Sequence, residues 1–210
     1  MKSFKHVISY ACDKRCSYCI NEILKHDEKQ CKDKVQIGEK YTELALDGYD
    51  HIMLSGGEPV LNKMFESCLR LASMIFKHVS IISAHNSTLS NKLIEELADD
   101  VLFSLHAEYF DSTNIPQVNI DIPVYASMIL ETYHMIHEVG NLFHLSSKGF
   151  SGATIRECYP DGDSIEKFYP DGFGELPNNF SLKTYTKDRC VMDSLLLLPD
   201  LSTTTQEQFA

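Results

Sequence analysis

The sequence predicts an α/β fold in which amphipathic helices cover a parallel sheet of six strands. Short apolar runs alternate with segments of helical periodicity over the first 146 residues. Strands that read as continuous apolar runs are typical of a parallel sheet buried on both faces. Six strands are too few for a closed eight-stranded barrel. At 210 residues, we expect one domain, or one domain with an appendage.

The first part of the chain carries the clearest elements. Residues 7–10 form a short apolar run that leads into a cysteine-rich loop. Residues 35–48 have helical spacing that ends at a glycine, and residues 51–55 form a buried strand stopped by two more glycines. Apolar residues recur at i, i+3, i+4 and i+7 over residues 61–76, which predicts the best-defined helix.

The alternation then continues to residue 145. The predicted elements are a strand at 79–82, a helix at 89–98 with Ser87 or Ser90 as its cap, strands at 101–106 and 118–124, a helix at 129–139 and a sixth strand at 142–145.

Composition limits the possible partners and compartments. The formal net charge of −11 disfavours attraction to nucleic acid or anionic membranes. No apolar run is long enough to span a bilayer, and the first residues lack the apolar stretch of a signal peptide. We therefore expect a cytoplasmic protein. Its seven cysteines, an odd number, fit reduced thiols and metal ligation better than a disulfide framework.

Cys12, Cys16 and Cys19 form the first motif, with the spacing Cys-x-x-x-Cys-x-x-Cys. Three closely spaced thiolates can hold three irons of a [4Fe–4S] cluster, and a missing fourth ligand leaves one iron open. A structural zinc site would need a fourth Cys or His, and Cys31, the nearest candidate, has no partner pair. A ferredoxin-like cluster is the other alternative, but the Cys-Pro ending of the ferredoxin run is absent.

The second motif is Gly56-Gly57-Glu58-Pro59, at the end of the second predicted strand. Two glycines let the backbone approach a ligand closely, and a glutamate can accept a hydrogen bond from an ammonium group. A tight strand-to-helix turn would account for the same residues equally well.

Taken together, the two motifs resemble the radical S-adenosylmethionine (radical SAM) family. The family pattern is Cys-x-x-x-Cys-x-aromatic-Cys, with Tyr18 at the aromatic position, followed by Gly-Gly-Glu-Pro. The resemblance is clear over residues 4–106 and weaker to 157. It implies a six-stranded partial (β/α)6 barrel related to the TIM barrel, a [4Fe–4S] cluster on Cys12, Cys16 and Cys19, and S-adenosylmethionine on the open iron.

The resemblance also implies roles for individual residues at the cofactor. Gly56, Gly57 and Glu58, followed by Pro59, contact the methionyl amino group, Tyr18 lies beside the adenine, and Ser104 contacts the ribose or carboxylate. Residues 149–157 loosely resemble a late adenine-binding motif of the family. Asn86, at the end of the third predicted strand, is placed to reach the cofactor.

The activity implied by this resemblance is that of an oxygen-sensitive oxidoreductase. One electron, from a donor such as flavodoxin or ferredoxin, cleaves S-adenosylmethionine to a 5'-deoxyadenosyl radical. The radical abstracts hydrogen from a small-molecule, nucleotide or short peptide substrate. One alternative is an activase that makes a glycyl radical in a partner protein, since Cys19-Ile20-Asn21 resembles the Cys-His-Asn of such activases. A non-enzymatic alternative is an iron–sulfur electron carrier.

Residues 1–157 are expected to form the barrel core. Residues 158–210 then form an extension that acts as a lid, binds substrate or closes the barrel with two apolar stretches at 180–199. Ligands bind at the carboxyl ends of the strands in parallel α/β sheets. The segments expected at those ends are the cysteine loop, the Gly-Gly-Glu-Pro turn, Asn86, His106 and residues 146–157.

Other polar residues and cysteines near the strand ends are further candidates. His106, Glu108, Lys148 and Arg156 are candidate substrate contacts. Cys68 lies on the apolar face of a helix and is expected in the core. The remaining possibilities are Cys158 as a hydrogen-atom donor or inert thiol, and an auxiliary cluster from Cys31, Cys68, Cys158 and Cys190.

Overall fold

The structure is a computed structural model, and it describes residues 1–16, 19, 33–106, 109–110, 113–130, 142–157, 178–185 and 195–205. These residues form nine strands in one sheet. The strands are β1 (Ser3–Val7), β2 (His51–Ser55), β3 (His78–Ser83), β4 (Asp100–Ser104), β5 (Val124–Leu130), β6 (Gly152–Glu157), β7 (Ser181–Tyr185), β8 (Leu195–Leu197) and β9 (Thr203–Thr205).

The described helices follow the strands in alternation. They are α1 (Lys34–Leu46), α2 (Phe65–Ile75), α3 (Lys92–Leu97) and α4 (Leu142–Ser147), with single-turn 3-10 helices at Pro59–Leu61 and Asn86–Ser90. None of these helices is long and apolar enough to cross a membrane.

The sheet runs in the order β7-β6-β5-β4-β3-β2-β1-β8-β9. All neighbouring strands pair in parallel except β8 and β9, which are antiparallel. The predicted α/β fold with a mainly parallel sheet is therefore confirmed, and it is consistent with a partial barrel. The described sheet has nine strands rather than six because residues beyond 157 add strands to both of its edges.

Aromatic packing holds α1 and α2 against β1. The rings of Phe4 and Phe76 meet edge to face at 5.2 Å, and Tyr41 lies 5.5 Å from Phe76 and 6.4 Å from Phe4. Phe4 and Tyr41 are fully buried, and edge-to-face pairs add about 0.5–1.5 kcal/mol beyond burial. This cluster fixes the strand that carries the cysteine loop.

The prediction of a sixth strand at residues 142–145 is wrong, because this segment is the first part of α4. Leu145 is buried and Phe143 is exposed, whereas two residues two apart in a strand share one face. The sixth strand along the chain is β6, in residues 152–157. A short apolar run has no periodicity that separates a strand from a buried helix.

Three element boundaries also differ from prediction. Only residue 124 of the predicted strand at 118–124 belongs to β5. β5 also includes residues 129 and 130, which were predicted to begin a helix at 129–139. The rest of that predicted helix lies outside the described residues. β1 ends at Val7, where the predicted apolar run begins. The cap of α3 is Asn91, whose side-chain oxygen accepts from the N–H of Leu93 at 3.0 Å, instead of Ser87 or Ser90.

The expected extension contributes β7, β8 and β9. β7 pairs with β6 at one edge and β8 pairs with β1 towards the other. No described strand joins β7 to β9, so the described part of the extension lengthens the sheet without closing it. Residues 158–177 of this extension lie outside the described residues, and the division at residue 157 stays a prediction.

Candidate active site

A cavity of about 230 Å³ lies at the carboxyl ends of β1 to β4 and of β8. We call it the cysteine cavity, because Cys12, Cys16 and Cys19 all line it. Parallel strands direct their carboxyl ends to one edge of the sheet, where ligands bind in this class of fold. The structure thus brings the three cysteines to the edge predicted from the sequence.

Gly56 and Gly57 line the same cavity and lie directly under the cysteine loop. The N–H of Gly57 donates to the carbonyl oxygen of Ser9 at 2.7 Å, and the N–H of Glu58 donates to that of Ala11 at 2.9 Å. A Cβ atom on Gly56 would lie 2.5 Å from the Ser9 oxygen, and one on Gly57 would lie 2.3 Å from the Ala11 oxygen. Both glycines are therefore required by the backbone of the cysteine loop.

The three thiols differ in their surroundings. Cys16 is buried, Cys12 is exposed and Cys19 is half-buried. The N–H of Cys19 donates to the carbonyl oxygen of Cys16 at 3.1 Å, and the N–H of Lys14 lies 3.4 Å from the sulfur of Cys12. Desolvation is the main cause that raises the pKa of Cys12 above its usual range. A bound metal would be needed to hold this sulfur as a thiolate at neutral pH.

Three thiolates around one cavity are a donor set that fits a [4Fe–4S] cluster. Among the described residues, no three His, Cys, Asp or Glu side chains converge closely enough to hold one ion. A [4Fe–4S] cluster bonds each thiolate to a different iron, so its ligands surround the cluster instead of meeting at a point. Cys12, Cys16 and Cys19 around one cavity satisfy this requirement.

Glu58 does not line the cysteine cavity, and its expected contact with an amino group stays a prediction. Its carboxylate is buried, and one oxygen accepts from the hydroxyl of Ser83 at 2.8 Å while the other accepts from the N–H of Ala84 at 2.9 Å. Desolvation raises the pKa of Glu58, and these hydrogen bonds oppose the rise. Glu58 therefore ties the glycine turn to the end of β3. Pro59 is buried in the following 3-10 turn.

Strand β4 contributes two of the predicted residues. Ser104, its last residue, and His106, just beyond it, both line the cysteine cavity. Asn86 does not, because β3 ends at residue 83 and Asn86 lies exposed in the 3-10 turn that follows. Ser83 and Ala84 occupy the place expected for Asn86. The predicted strand at 79–82 matches β3 closely, but Asn86 lies three residues beyond the end of β3.

Residues 146–157 do not gather at the cysteine cavity as expected. Lys148 and Gly149 follow α4 and precede β6, so they lie at the amino-terminal end of the strands. The carbonyl oxygen of Lys148 there accepts from the N–H of Val118 at 2.9 Å. Lys148 therefore does not line the cysteine cavity, and the segment resembling an adenine motif is largely β6 itself.

Several other residues at the cavity were missed by sequence reasoning. Leu196 and Leu198 come from β8 and the residue after it, and Lys5 and Lys14 supply positive charge. The apolar run at 195–198 is visible in the sequence, but its pairing with β1 is a contact across most of the chain that no local pattern reveals.

The remaining candidates cannot be placed. The side chain of Arg156 lies outside the described part of the chain. So do five whole residues: Tyr18, Cys31, Glu108, Cys158 and Cys190. Cys68 is fully buried in the hydrophobic core, which confirms its predicted place.

Comparison with known families gives one match. The model of the Radical SAM superfamily matches residues 6–154, more than half of the chain. No curated protein matches the sequence.

Solved structures with a similar fold include SuiB from Streptococcus suis. Its crystal structure has a TM-score of 0.63 at 10% identity, covering 99% of this chain and 63% of that one. SuiB bound to precursor peptide SuiA gives a TM-score of 0.61 at 11% identity, covering 99% and 62%. SuiB bound to S-adenosylmethionine gives a TM-score of 0.59 at 11% identity, covering 94% of this chain and 56% of that one. The chain thus spans less than two thirds of the length of SuiB.

Proposed function

The chain belongs to the radical SAM superfamily, and on that premise we propose that it is an enzyme that makes a 5'-deoxyadenosyl radical. Membership implies a [4Fe–4S] cluster and S-adenosylmethionine as cofactors. When bound, the reduced cluster supplies the electron that splits S-adenosylmethionine into methionine and the radical, which takes a hydrogen atom from the substrate.

The observation that carries the proposal is that both sequence motifs line one cavity. Cys12, Cys16 and Cys19 would hold the cluster, and the backbone of Gly56 and Gly57 lies on the wall beside them. Three protein thiolates leave one iron open, which is the requirement for a cluster that binds a small molecule.

Other residues of the cavity are proposed to bind and shield the cofactor. Ser104 would contact its ribose or carboxylate, and Tyr18 would lie beside the adenine, as in the family. Leu196 and Leu198 supply an apolar wall. An apolar wall excludes water, which protects a reactive radical from side reactions.

The substrate is proposed to be a small molecule, a nucleotide or a short peptide. A peptide is supported by the likeness to SuiB, which was crystallised with its precursor peptide SuiA. His106 is the candidate substrate contact that lines the cavity. The electron would come from an external donor such as flavodoxin or ferredoxin.

The test is anaerobic reconstitution with iron and sulfide, followed by dithionite, S-adenosylmethionine and chromatography for 5'-deoxyadenosine. The wild type is expected to form it, and Cys16→Ala is expected to abolish its formation. Cys68→Ala is the matched control, because it removes a thiol in the core, away from the cavity. A reconstituted cluster that neither binds nor cleaves S-adenosylmethionine would reject the proposal in favour of an iron–sulfur carrier.

A further inference from the structure

A second cavity, of about 360 Å³, lies against the amino-terminal halves of the strands. We call it the histidine cavity, because His51 and His78, the first residues of β2 and β3, line it. Its wall takes residues from all seven strands from β1 to β7. Its size is within the range of small-molecule sites, about 300–1,000 Å³.

Several polar side chains line this cavity. Interiors of (β/α) barrels are normally filled by layers of Val, Ile and Leu side chains. Here Ser80, Thr154, Tyr125 and Ser181 line the space beside the two histidines. Ser80 and Thr154 are buried, and burying polar groups costs free energy unless they find partners.

The histidines form an ordered arrangement with β3 and β4. Their rings meet edge to face at 4.5 Å. The Nε2 atom of His51 lies 2.8 Å from the hydroxyl of Ser80, and the Nε2 atom of His78 lies 3.0 Å from one carboxylate oxygen of Asp100. Burial is the main cause that lowers the pKa of His51. This histidine is therefore uncharged at neutral pH.

Asp100 places a carboxylate side chain on the wall of this cavity. Its Oδ1 atom is buried and has no hydrogen-bond partner among the described residues. Oδ1 has almost no accessible surface, so a ligand in the cavity would meet Asp100 through the rest of its side chain, 18% of which is exposed. Positive charge lies on other walls, on Lys5 of β1 and Lys183 of β7.

We propose that the histidine cavity binds a free amino acid, with its ammonium group towards the Asp100 carboxylate and its own carboxylate towards Lys183 and Lys5. A zwitterion uses the opposite charges of the wall together, whereas a simple cation or anion would meet a like charge. Lys5 and Ile82 line both cavities, so a ligand here lies next to the cysteine cavity. This inference rests on the proposed function, under which the bound amino acid is the substrate of the radical.

The test is calorimetric titration of the reconstituted, anaerobic protein with each standard amino acid in turn. At least one is expected to bind, and Asp100→Asn is expected to weaken that binding by about tenfold or more. Asp99→Asn is the matched control, because Asp99 also faces His78, at 3.8 Å, but does not line the cavity. It is expected to leave the affinity within about twofold.

A second variant guards against damage to the fold at Asp100. Lys183→Met removes an exposed charge and is expected to weaken binding by about threefold or more, while Lys63→Met, exposed and away from both cavities, leaves it unchanged. No binding by any amino acid at about 10 mM, or equal affinity in Asp100→Asn and the wild type, would overturn the proposal. So would displacement of the amino acid by a peptide with blocked ends.

The two proposals fail separately. Amino-acid binding is read without adding S-adenosylmethionine, so it does not depend on radical formation. Binding without 5'-deoxyadenosine would reject the proposed function alone, and 5'-deoxyadenosine without binding would reject the amino-acid site alone.

Discussion

The main-chain N–H of Arg15 donates a 2.7 Å hydrogen bond to the phenolic oxygen of Tyr109. The ammonium group of Lys14 lies 5.0 Å from the centre of the same ring. The neighbouring Phe110 packs on Phe103 of β4, with ring centres 5.7 Å apart. The cysteine loop is therefore held from two sides, by the glycine turn after β2 and by this aromatic pair after β4.

Tyr109→Phe should shorten the lifetime of the cluster, because it removes the hydrogen bond to Arg15 and keeps the ring under Lys14. A neutral hydrogen bond contributes about 0.5–1.5 kcal/mol, so cluster loss should be about two- to tenfold faster. Visible absorbance in anaerobic chelator measures the rate. Tyr49→Phe, at a half-exposed ring under Lys2, should match the wild type. Equal rates in Tyr109→Phe and the wild type would show that this contact does not hold the loop.

Gly57→Ala should prevent assembly of the site. Its Cβ atom would lie 2.3 Å from the carbonyl oxygen of Ala11, a distance that the backbone must relieve by moving the cysteine loop. We expect at least about a hundredfold less 5'-deoxyadenosine. Gly38→Ala, inside α1, is the control, because its Cβ atom would make an ordinary 3.6 Å contact with Leu71 of α2. That change should stabilise the protein by about 0.5–1 kcal/mol. Normal turnover by Gly57→Ala would refute the close packing described here.

Glu58→Gln should destabilise the protein by about 1–3 kcal/mol, because its amide would place a donor where the carboxylate accepts from Ser83 and Ala84. Chemical denaturation measures the free energy of unfolding. Glu66→Gln affects only an exposed pair with Arg70 and should change that free energy by less than about 0.5 kcal/mol. Equal free energies of unfolding for Glu58→Gln and Glu66→Gln would show that the carboxylate of Glu58 does not hold the glycine turn against β3.

The stability of the protein should fall as the pH drops below 6.5, in part because of His6. His6 is buried, its Nδ1 atom lies 2.6 Å from the hydroxyl of Tyr41, and burial lowers its pKa from 6.5 to about 3. Below pH 6.5 the unfolded chain therefore binds a proton that the folded protein does not. The resulting loss approaches about 1.4 kcal/mol per pH unit until the folded pKa is reached.

His6→Asn tests this linkage, since an asparagine amide can still pair with Tyr41 and does not titrate. Between pH 7.5 and 5.5 the wild type should lose about 1.4 kcal/mol more stability than the variant. Denaturation of the cluster-free protein at the two pH values measures the difference. The same pH dependence in both proteins would mean that His6 is not the titrating group.

The fold class was predictable because the alternation of apolar strands and amphipathic helices is a local pattern. β2, β3 and α1 appear close to where the sequence placed them. The prediction failed at residues 142–145, where a short apolar run fits either a strand or a buried helix. It also could not show that β8 pairs with β1, because pairing between distant segments leaves no local signal.

The site was predictable where the residues belong to one compact motif. Cys12, Cys16, Cys19, Gly56 and Gly57 share a cavity because two strand ends carry them to one edge of the sheet. The sequence did not show that Glu58 is buried against Ser83 and Ala84, since a motif does not tell which way a side chain turns. The histidine cavity could not be predicted from the sequence, because each strand contributes only one or two of its polar residues and these come together only in the folded sheet.

The most direct test of the central claim is electron paramagnetic resonance of the reconstituted, dithionite-reduced protein with and without S-adenosylmethionine. If Cys12, Cys16 and Cys19 leave one iron open, the cofactor should change the g values of the reduced cluster. Cys16→Ala should give no cluster signal, either with or without S-adenosylmethionine. A wild-type spectrum that S-adenosylmethionine does not alter would contradict the claim, because it would mean that the fourth iron is not available to the cofactor.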